Sequence, residues 1–372
     1  MVPNPDESTT HPTELWIEDG PTLLEWRGEG GQILAVDTEF VRERTYWPTL
    51  ALVQLAGPAP ATLIDPLVFK PLETLGQVLA DPAATILMHS ASEDLVALRP
   101  LLPAPITGLY DTQIAAAFAG LGAGLGYQAC VAQLLGVHLE KQETRSNWLA
   151  RPLSDRQISY ALDDVRHLHR VHALLDDRLK TRGYASWHRE DCRRLAENGW
   201  RGETDEQPQL AFRNGWRWSP LAQAQLRRIL LWREQAARER DLPRRWVLDD
   251  HTAIAAAIEP EHSAARLAAR LADAPAGRRR SLQALLNLLE RVPDDEELAT
   301  TVPVPAPHDD VLKQGMKRLK AVVDREAERL DLPPGLLCPR RALEFLLRAG
   351  RLPDDLAGWR REVLEPALVA EL

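Results

Sequence analysis

The chain has 372 residues and a formal net charge of −9, from 45 Lys and Arg against 54 Asp and Glu; that length allows two or three domains with sizeable cores. Its three cysteines, Cys130, Cys192 and Cys338, are too far apart for a disulfide framework or a Cys-based zinc site and suit a reducing compartment. No apolar run is long enough to span a bilayer and the acidic, Pro-bearing first fifteen residues carry no secretory signal, so the expectation is a soluble cytoplasmic protein, with a monomer favoured.

From about Leu15 to Asp111, short β-like runs alternate with helical ones, as in an α/β layer. The strand runs are Ile33 to Val36, Leu50 to Leu55, Ala61 to Asp65, Thr85 to Met88 and Ile106 to Tyr110, with helices around Leu72 to Leu79 and Ser92 to Leu101. The first run leads into Asp37-Thr38-Glu39. Residues two apart on a strand share a face, so Asp37 and Glu39 emerge on one side at the strand's end. Two unpaired anions that close repel each other, and a divalent cation is the usual cure. Alone, such a pair reads equally as a solvated strand end.

Two further acidic sites follow. In His89-Ser90-Ala91-Ser92-Glu93-Asp94-Leu95, Ser90 or Ser92 reads as a helix N-cap, which places Asp94 in the first turn, where an acid is also an ordinary dipole partner. In Ser159-Tyr160-Ala161-Leu162-Asp163-Asp164, Tyr160 and Asp164 are four apart on a helical stretch and share a face. Asp163 is the rival carboxylate, about 100° around the helix. His167, His169 and His172 crowd the following turns without the acid-His-His pattern of a zinc hydrolase, and read as packing or surface. His89 reads as a buried, hydrogen-bonded side chain near the acids, while Phe40, Gln54 and Trp148 could line a groove or fill the core. No phosphate-cradling P-loop is present, which argues against an ATP-driven activity.

Helices dominate from Thr112 to about Trp200. A polar stretch from Gly202 to Gln209 reads as a linker, Leu210 to Arg291 as all helical, and Val292 to Pro307, with Pro303, Pro305 and Pro307, as an extended linker. His308 to Leu372 is again helical. The net negative charge argues against a nucleic-acid partner, but acids gather in the linkers. Arg213, Arg217, Arg227, Arg228, Arg233, Arg238, Arg240, Arg244 and Arg245 are interleaved with Trp216, Trp218, Trp232 and Trp246. Such a mix could grip phosphates and stack on bases; for most of these residues an amphipathic helix with a solvated Arg face is the simpler account.

Taken together, Asp-x-Glu, a His/Ser-rich turn ending in Glu-Asp-Leu, and Tyr-x-x-x-Asp resemble the DEDD exonucleases in their tyrosine-bearing branch. The resemblance extends to ribonuclease D through Asp37-Thr38-Glu39-Phe40-Val41-Arg42, Thr45-Tyr46-Trp47-Pro48, Leu52-Val53-Gln54-Leu55, Asp111-Thr112-Gln113-Ile114 and Trp148-Leu149-Ala150-Arg151-Pro152-Leu153. Asn147 departs from the Asp expected before the Trp, which bears on local hydrogen bonding and not on the metal carboxylates. The resemblance implies a ribonuclease H-like mixed-sheet nuclease domain (residues 1–205) followed by two all-helical HRDC-type domains (210–291 and 305–372). It also implies catalytic Asp37, Glu39, Asp94, Tyr160 and Asp164, with the four carboxylates holding two Mg²⁺ or Mn²⁺ ions. Asp37 would bridge both ions, Glu39 and Asp164 would hold the one on the water side, and Asp94 the one at the leaving group. The implied activity is 3′→5′ trimming of RNA, tRNA precursors among the substrates, with nucleoside 5′-monophosphates released. The alternatives are the same chemistry on DNA, or a catalytically silent RNA-binding adaptor. The helical tail would hold structured RNA; otherwise it would merely cover an apolar face of the nuclease.

Overall fold

Runs of apolar and β-branched residues between turn signals form strands. In the computed structural model, five such runs do so: Ile33–Val41 (β1), Thr49–Ala56 (β2), Thr62–Ile64 (β3), Thr85–Met88 (β4) and Leu109–Asp111 (β5). The structure describes residues 16–28, 32–57, 60–140, 143, 146–202, 205–272, 276–307 and 309–371. The first fifteen residues, Glu203, Thr204 and His308, on which some sequence expectations fall, lie outside the described residues.

The sheet order is β3-β2-β1-β4-β5. β1 and β2 are antiparallel, as are β2 and β3, whereas β4 runs parallel to both β1 and β5. The sheet is therefore mixed, as expected. The last strand begins three residues later than Ile106. At Gly108 an added Cβ would lie 2.0 Å from the carbonyl oxygen of Ala84, so this residue marks a close backbone approach. Ile106 is apolar because it is buried, at 1% exposure, and not because it lies in a strand.

Eight helices flank this sheet in sequence: Gly20–Arg27 (α1), Leu72–Leu79 (α2), Ser92–Leu98 (α3), Thr112–Phe118 (α4), Tyr127–Leu135 (α5), Asp155–Arg166 (α6), Leu168–Arg182 (α7) and Ala185–Arg201 (α8). Alternation along the strands sends side chains to both faces. Ala35, Leu87 and Tyr110 pack with Val165, Leu168 and Val171 of α6 and α7. Leu34, Val36, Val53 and Ile86 pack with Leu75, Leu95, Leu98 and Cys192 of α2, α3 and α8.

The chain divides into two compact units, residues 1–41, 49–202 and 310–372 in one, and 42–48 with 203–309 in the other. The second contains Pro220–Arg240 (α9), Arg244–Val247 (α10), Asp250–Ile258 (α11), Pro260–Ala272 (α12), Ala276–Glu290 (α13) and Asp295–Thr300 (α14). Its core joins Leu226, Ile229 and Leu230 of α9 to Ala253, Leu267 and Leu285. The stretch 292–307 is not the free extended spacer that its prolines suggest. Asp294 and Glu297 form a capping box that starts α14, and the segment after it is tied back to α9. Val304 is buried and its N–H donates to Gln223 Oε1 at 2.7 Å, while Gln209 Nε2 donates to the Val302 carbonyl at 2.8 Å.

Asp310–Leu330 (α15), Pro334–Leu337 (α16), Arg340–Ala349 (α17) and Trp359–Val369 (α18) belong to the first unit, and their apolar residues continue its core. Val322, Leu346, Trp359 and Leu364 fall in one cluster with Phe118 and Leu175. Trp359 stacks on Trp187 with ring centroids 4.5 Å apart. Its Nε1–H donates to Asp191 at 3.1 Å, and Arg360 Nη2 donates to the same carboxylate at 2.8 Å. For this module, covering an apolar face of the nuclease is what the structure displays. Breaking a buried ion pair costs about 3–5 kcal/mol, so Arg360→Ala is expected to lower the melting temperature by roughly 6 °C or more, and deleting residues 310–372 to give insoluble protein; calorimetry and solubility measure both. No described helix is long and apolar enough to cross a membrane.

Candidate active site

β1, the central strand, carries the first two carboxylates at and just past its midpoint, and not at its end as the sequence suggests, because pairing with β2 continues through Phe40 and Val41. Leu34, Ala35 and Val36 are fully buried, and the half-buried Asp37 and Glu39 follow on one face. Asp37 lies opposite Gln54 and Glu39 opposite Leu52, after which the register shifts between Glu39 and Phe40. A bulge of this kind bends a strand and re-aims its side chains. Thr38 points the other way, and its hydroxyl donates to Asp94 Oδ1 at 2.5 Å.

Asp94 lies in the first turn of α3 as expected, but neither Ser90 nor Ser92 caps it. The N-cap residue is Ala91, with no side-chain bond of its own. Asp111, at the end of the neighbouring strand β5, instead fixes the turn before α3: its carboxylate accepts from the N–H groups of Ala91 at 2.8 Å and Ser90 at 3.3 Å. The same carboxylate caps α4 through Gln113 N at 2.8 Å and Ile114 N at 3.1 Å. Ser90 sits at φ 64°, a left-handed conformation that a non-glycine residue holds only when its surroundings fix it. Asp111 was missed as a site-building residue. Its only local signal is the Asp-Thr-Gln run opening a helix, since its contacts with 90–91 are long-range.

A capping box of Ser154 and Gln157 starts α6, which presents Tyr160 and Asp164 on one face. Ligand oxygens of Asp37, Glu39 and Asp164 all lie within 4.8 Å of one another, and Tyr160 hydrogen-bonds Asp164. Asp163 turns away to Arg166, 2.5 Å from its guanidinium. Among the described residues, no other group of three or more acids, histidines or cysteines has metal-ligand spacing.

This crowding is visible in the electrostatics. Burial, then the charges of Asp94, Asp164 and Glu39, hold the Asp37 carboxyl well above the usual range. Burial and the charges of Asp164 and Asp94 push Glu39 up to about 9. Asp164 is raised to about 7 by burial, against the pull of the Tyr160 hydrogen bond, and Asp94 to about 6 by burial, against the Thr38 hydroxyl. Tyr160 is also raised, first by burial and then by Asp164, Glu39 and Asp37, which keeps its phenol a proton donor. Carboxylates destabilised in this way in the protein alone, all of them hard oxygen donors, fit a divalent cation of the Mg²⁺ or Mn²⁺ type.

Most of the remaining candidates are held by structural contacts. His89 is bonded at both ring nitrogens, to Thr112 Oγ1 and the Leu125 carbonyl, each at 2.9 Å. His169 faces the Ile33 carbonyl and His172 the Tyr110 ring. Trp148 is core and packs near Tyr160, with centroids 6.1 Å apart. Gln54 is fully buried. Asn147 supplies its own local bond, its side-chain oxygen accepting from Leu149 N at 3.2 Å, so the departure from Asp leaves that turn intact. In the second unit, Arg228 is a buried strut to the Leu288 carbonyl at 2.9 Å, and Arg233 pairs with Asp250 at 2.6 Å, so neither lies on a solvated Arg face.

A family model described as 3'-5' exonuclease matches residues 18–180. Ribonuclease D of Xanthomonas oryzae pv. oryzae is 41% identical over 335 residues, 89% of this chain and 91% of the relative. Ribonuclease D of Escherichia coli is 32% identical over 90% of this chain and 91% of its own. The crystal structure of Escherichia coli RNase D, an exoribonuclease involved in structured RNA processing, matches with a TM-score of 0.74 at 31% identity, covering 91% of this chain and 92% of that one. The catalytic core of RRP6 from Trypanosoma brucei shares the fold, with a TM-score of 0.53 at 20% identity over 77% of this chain and 80% of that one. On this similarity over nearly its full length, with an acidic cluster built on β1 and α6, the chain belongs to the ribonuclease D family of 3′→5′ exoribonucleases.

Proposed function

We propose that this protein trims the 3′ ends of tRNA precursors by hydrolysing terminal phosphodiesters, releasing nucleoside 5′-monophosphates, with Asp37, Glu39, Asp94, Tyr160 and Asp164 as its catalytic residues. The observation that carries this reading is the convergence of Asp37, Glu39 and Asp164 oxygens within 4.8 Å beside a protonated Tyr160. Asp37 would be shared between two Mg²⁺ or Mn²⁺ ions, Glu39 and Asp164 would complete one site, and Asp94 would hold the other. Bound there, the ions would lower the pKa of the attacking water and stabilise charge on the departing 3′ oxygen. The protein's own contribution is placement. Thr38 fixes Asp94, the β1 bulge aims Glu39, and the Tyr160 hydroxyl orients water beside Asp164. A phenol whose pKa is raised above its ordinary value near 10 is no base at neutral pH, so positioning is its role.

Tyr160→Phe keeps the ring against Trp148 and removes only that hydroxyl. RNA binding is expected to survive, while the single-turnover rate falls about 10²-fold. Asp163→Asn, which loses only an exposed pair with Arg166, changes little; a larger loss from Asp163→Asn than from Tyr160→Phe would contradict the assignment of roles.

The two helical modules, 210–291 and 305–372, are proposed as HRDC-type domains of a cytoplasmic monomer. The substrate is tested with matched tRNA precursor, unstructured RNA and DNA of the same sequence. Shortening of the precursor to its mature end, with DNA degraded far more slowly, supports RNA processing. Equal rates on DNA favour the wider 3'-5' exonuclease activity that the matched family model describes, and no hydrolysis of any strand favours an RNA-binding adaptor.

A further inference from the structure

One group of aromatic and basic side chains in the second unit lies outside the carboxylate site. Residues 42–48, which follow β1 in sequence, are clasped to α9 and α10. Asp241, in the left-handed conformation at φ 50° where α9 ends, accepts from the N–H groups of Tyr46 at 3.0 Å and Trp47 at 2.9 Å. The Tyr46 hydroxyl bonds Glu234, which also receives Arg238 and Arg244 at 2.9 Å each. The guanidinium of Arg244 lies 4.9 Å from the Tyr46 ring centroid. This network makes a stiff wall from two segments almost two hundred residues apart in sequence.

The wall bounds a cavity of about 390 Å³ lined by Arg42, Glu43, Tyr46, Arg244, Arg245 and Trp246 among others. That volume falls within the roughly 300–1,000 Å³ of small-molecule sites. The cavity lining brings three guanidinium groups to one carboxylate, Glu43; Arg244 is already paired with Glu234, and the exposed Arg245 is the cation that α10 presents beside Trp246. α10 contributes Arg244-Arg245-Trp246 and buries none of its residues, and Trp246 is 59% exposed. A tryptophan in this state adds little to the core; it is an available stacking surface.

We propose that this cavity is an RNA subsite separate from the carboxylates, in which Trp246 stacks on an unpaired base while Arg245 and its neighbours hold the adjoining phosphates. Aromatic faces accept any base and guanidinium groups suit phosphate, so the subsite recognises single-stranded RNA without reading its sequence. The site deepens the proposed action on RNA and rests on that reading.

The test measures binding by the full chain in EDTA, where hydrolysis is stopped, using a stem-loop RNA with a single-stranded 3′ tail over a range of salt concentrations. Arg245→Gln is expected to weaken binding and to flatten the log–log salt slope by about 0.7, one phosphate contact on a single strand. Trp246→Leu is expected to weaken binding about ten-fold with the slope unchanged, and Trp246→Phe to retain most of the affinity. Parental affinity and slope in both Arg245→Gln and Trp246→Leu would overturn the proposal. So would inorganic phosphate competing as well as adenosine 5′-monophosphate, since that describes an anion site with no role for stacking. Should Trp246→Leu fail to fold, the exposed Arg245→Gln decides the question. Because binding is read without turnover, a parent protein that binds through this cavity yet hydrolyses nothing would refute the catalytic reading alone.

Discussion

Asp37→Ala is expected to reduce hydrolysis by about a thousand-fold or more, the loss of about 4 kcal/mol of transition-state stabilisation, while leaving the protein folded. Asp37 feels Asp94, Asp164 and Glu39 at once, so the substitution removes the carboxylate common to the whole group and relieves its mutual repulsion. The variant's metal-free melting temperature is therefore expected to equal or exceed the parent's. Steady-state turnover and a melting curve in EDTA check both halves. Turnover within a few-fold of the parent, or a variant that unfolds, would count against the site.

Metal removal should turn pH into a strong lever on stability. Glu39 at about 9, Asp164 at about 7 and Asp94 at about 6 all lie above their ordinary values of 4.5, 3.8 and 3.8. A group whose pKa is raised in the folded state contributes stability that is complete below its unfolded pKa and is lost as pH climbs through the folded one. In EDTA the melting temperature should therefore fall as pH rises through about 6, 7 and 9. Divalent cations, which favour the ionised carboxylates, should oppose that fall. A cation at a hundred times its dissociation constant adds about 2.7 kcal/mol, with a larger gain at pH 8 than at pH 5. Melting curves that stay flat or rise in EDTA over this window would contradict the electrostatics.

Asp37, Glu39, Tyr160 and Asp164 were legible because each pair obeys a local period, two residues on a strand and four on a helix. Asp94 was legible through the first-turn position that follows β4. Features set by distant neighbours were not. Asp111 caps the turn before α3 from another strand, and Thr38 steadies Asp94 from the opposite face of β1. Nothing local to either residue announces those partners. Ser90 resembles a cap by composition, but its left-handed backbone takes it out of that role. The segment after residue 292 departs from an extended linker because proline spacing reports backbone stiffness and says nothing of docking, whereas Val304 and Gln223 tie the segment down. Similarly, helical periodicity in residues 310–372 indicated an apolar face without revealing that the face completes the core around Phe118 and Trp187. The grouping of residues 42–48 with 243–246 is long-range and left no pattern in the sequence.

The most direct test of the central assignment follows one RNA strand labelled at either its 5′ or its 3′ end, incubated with the full-length protein in Mg²⁺ or in EDTA. Metal-dependent 3′→5′ hydrolysis predicts a descending ladder from the 5′-labelled strand, immediate release of labelled mononucleotide from the 3′-labelled strand, and no product in EDTA. Internal cuts, mononucleotide release from the 5′ end, or undiminished cleavage in EDTA would contradict it.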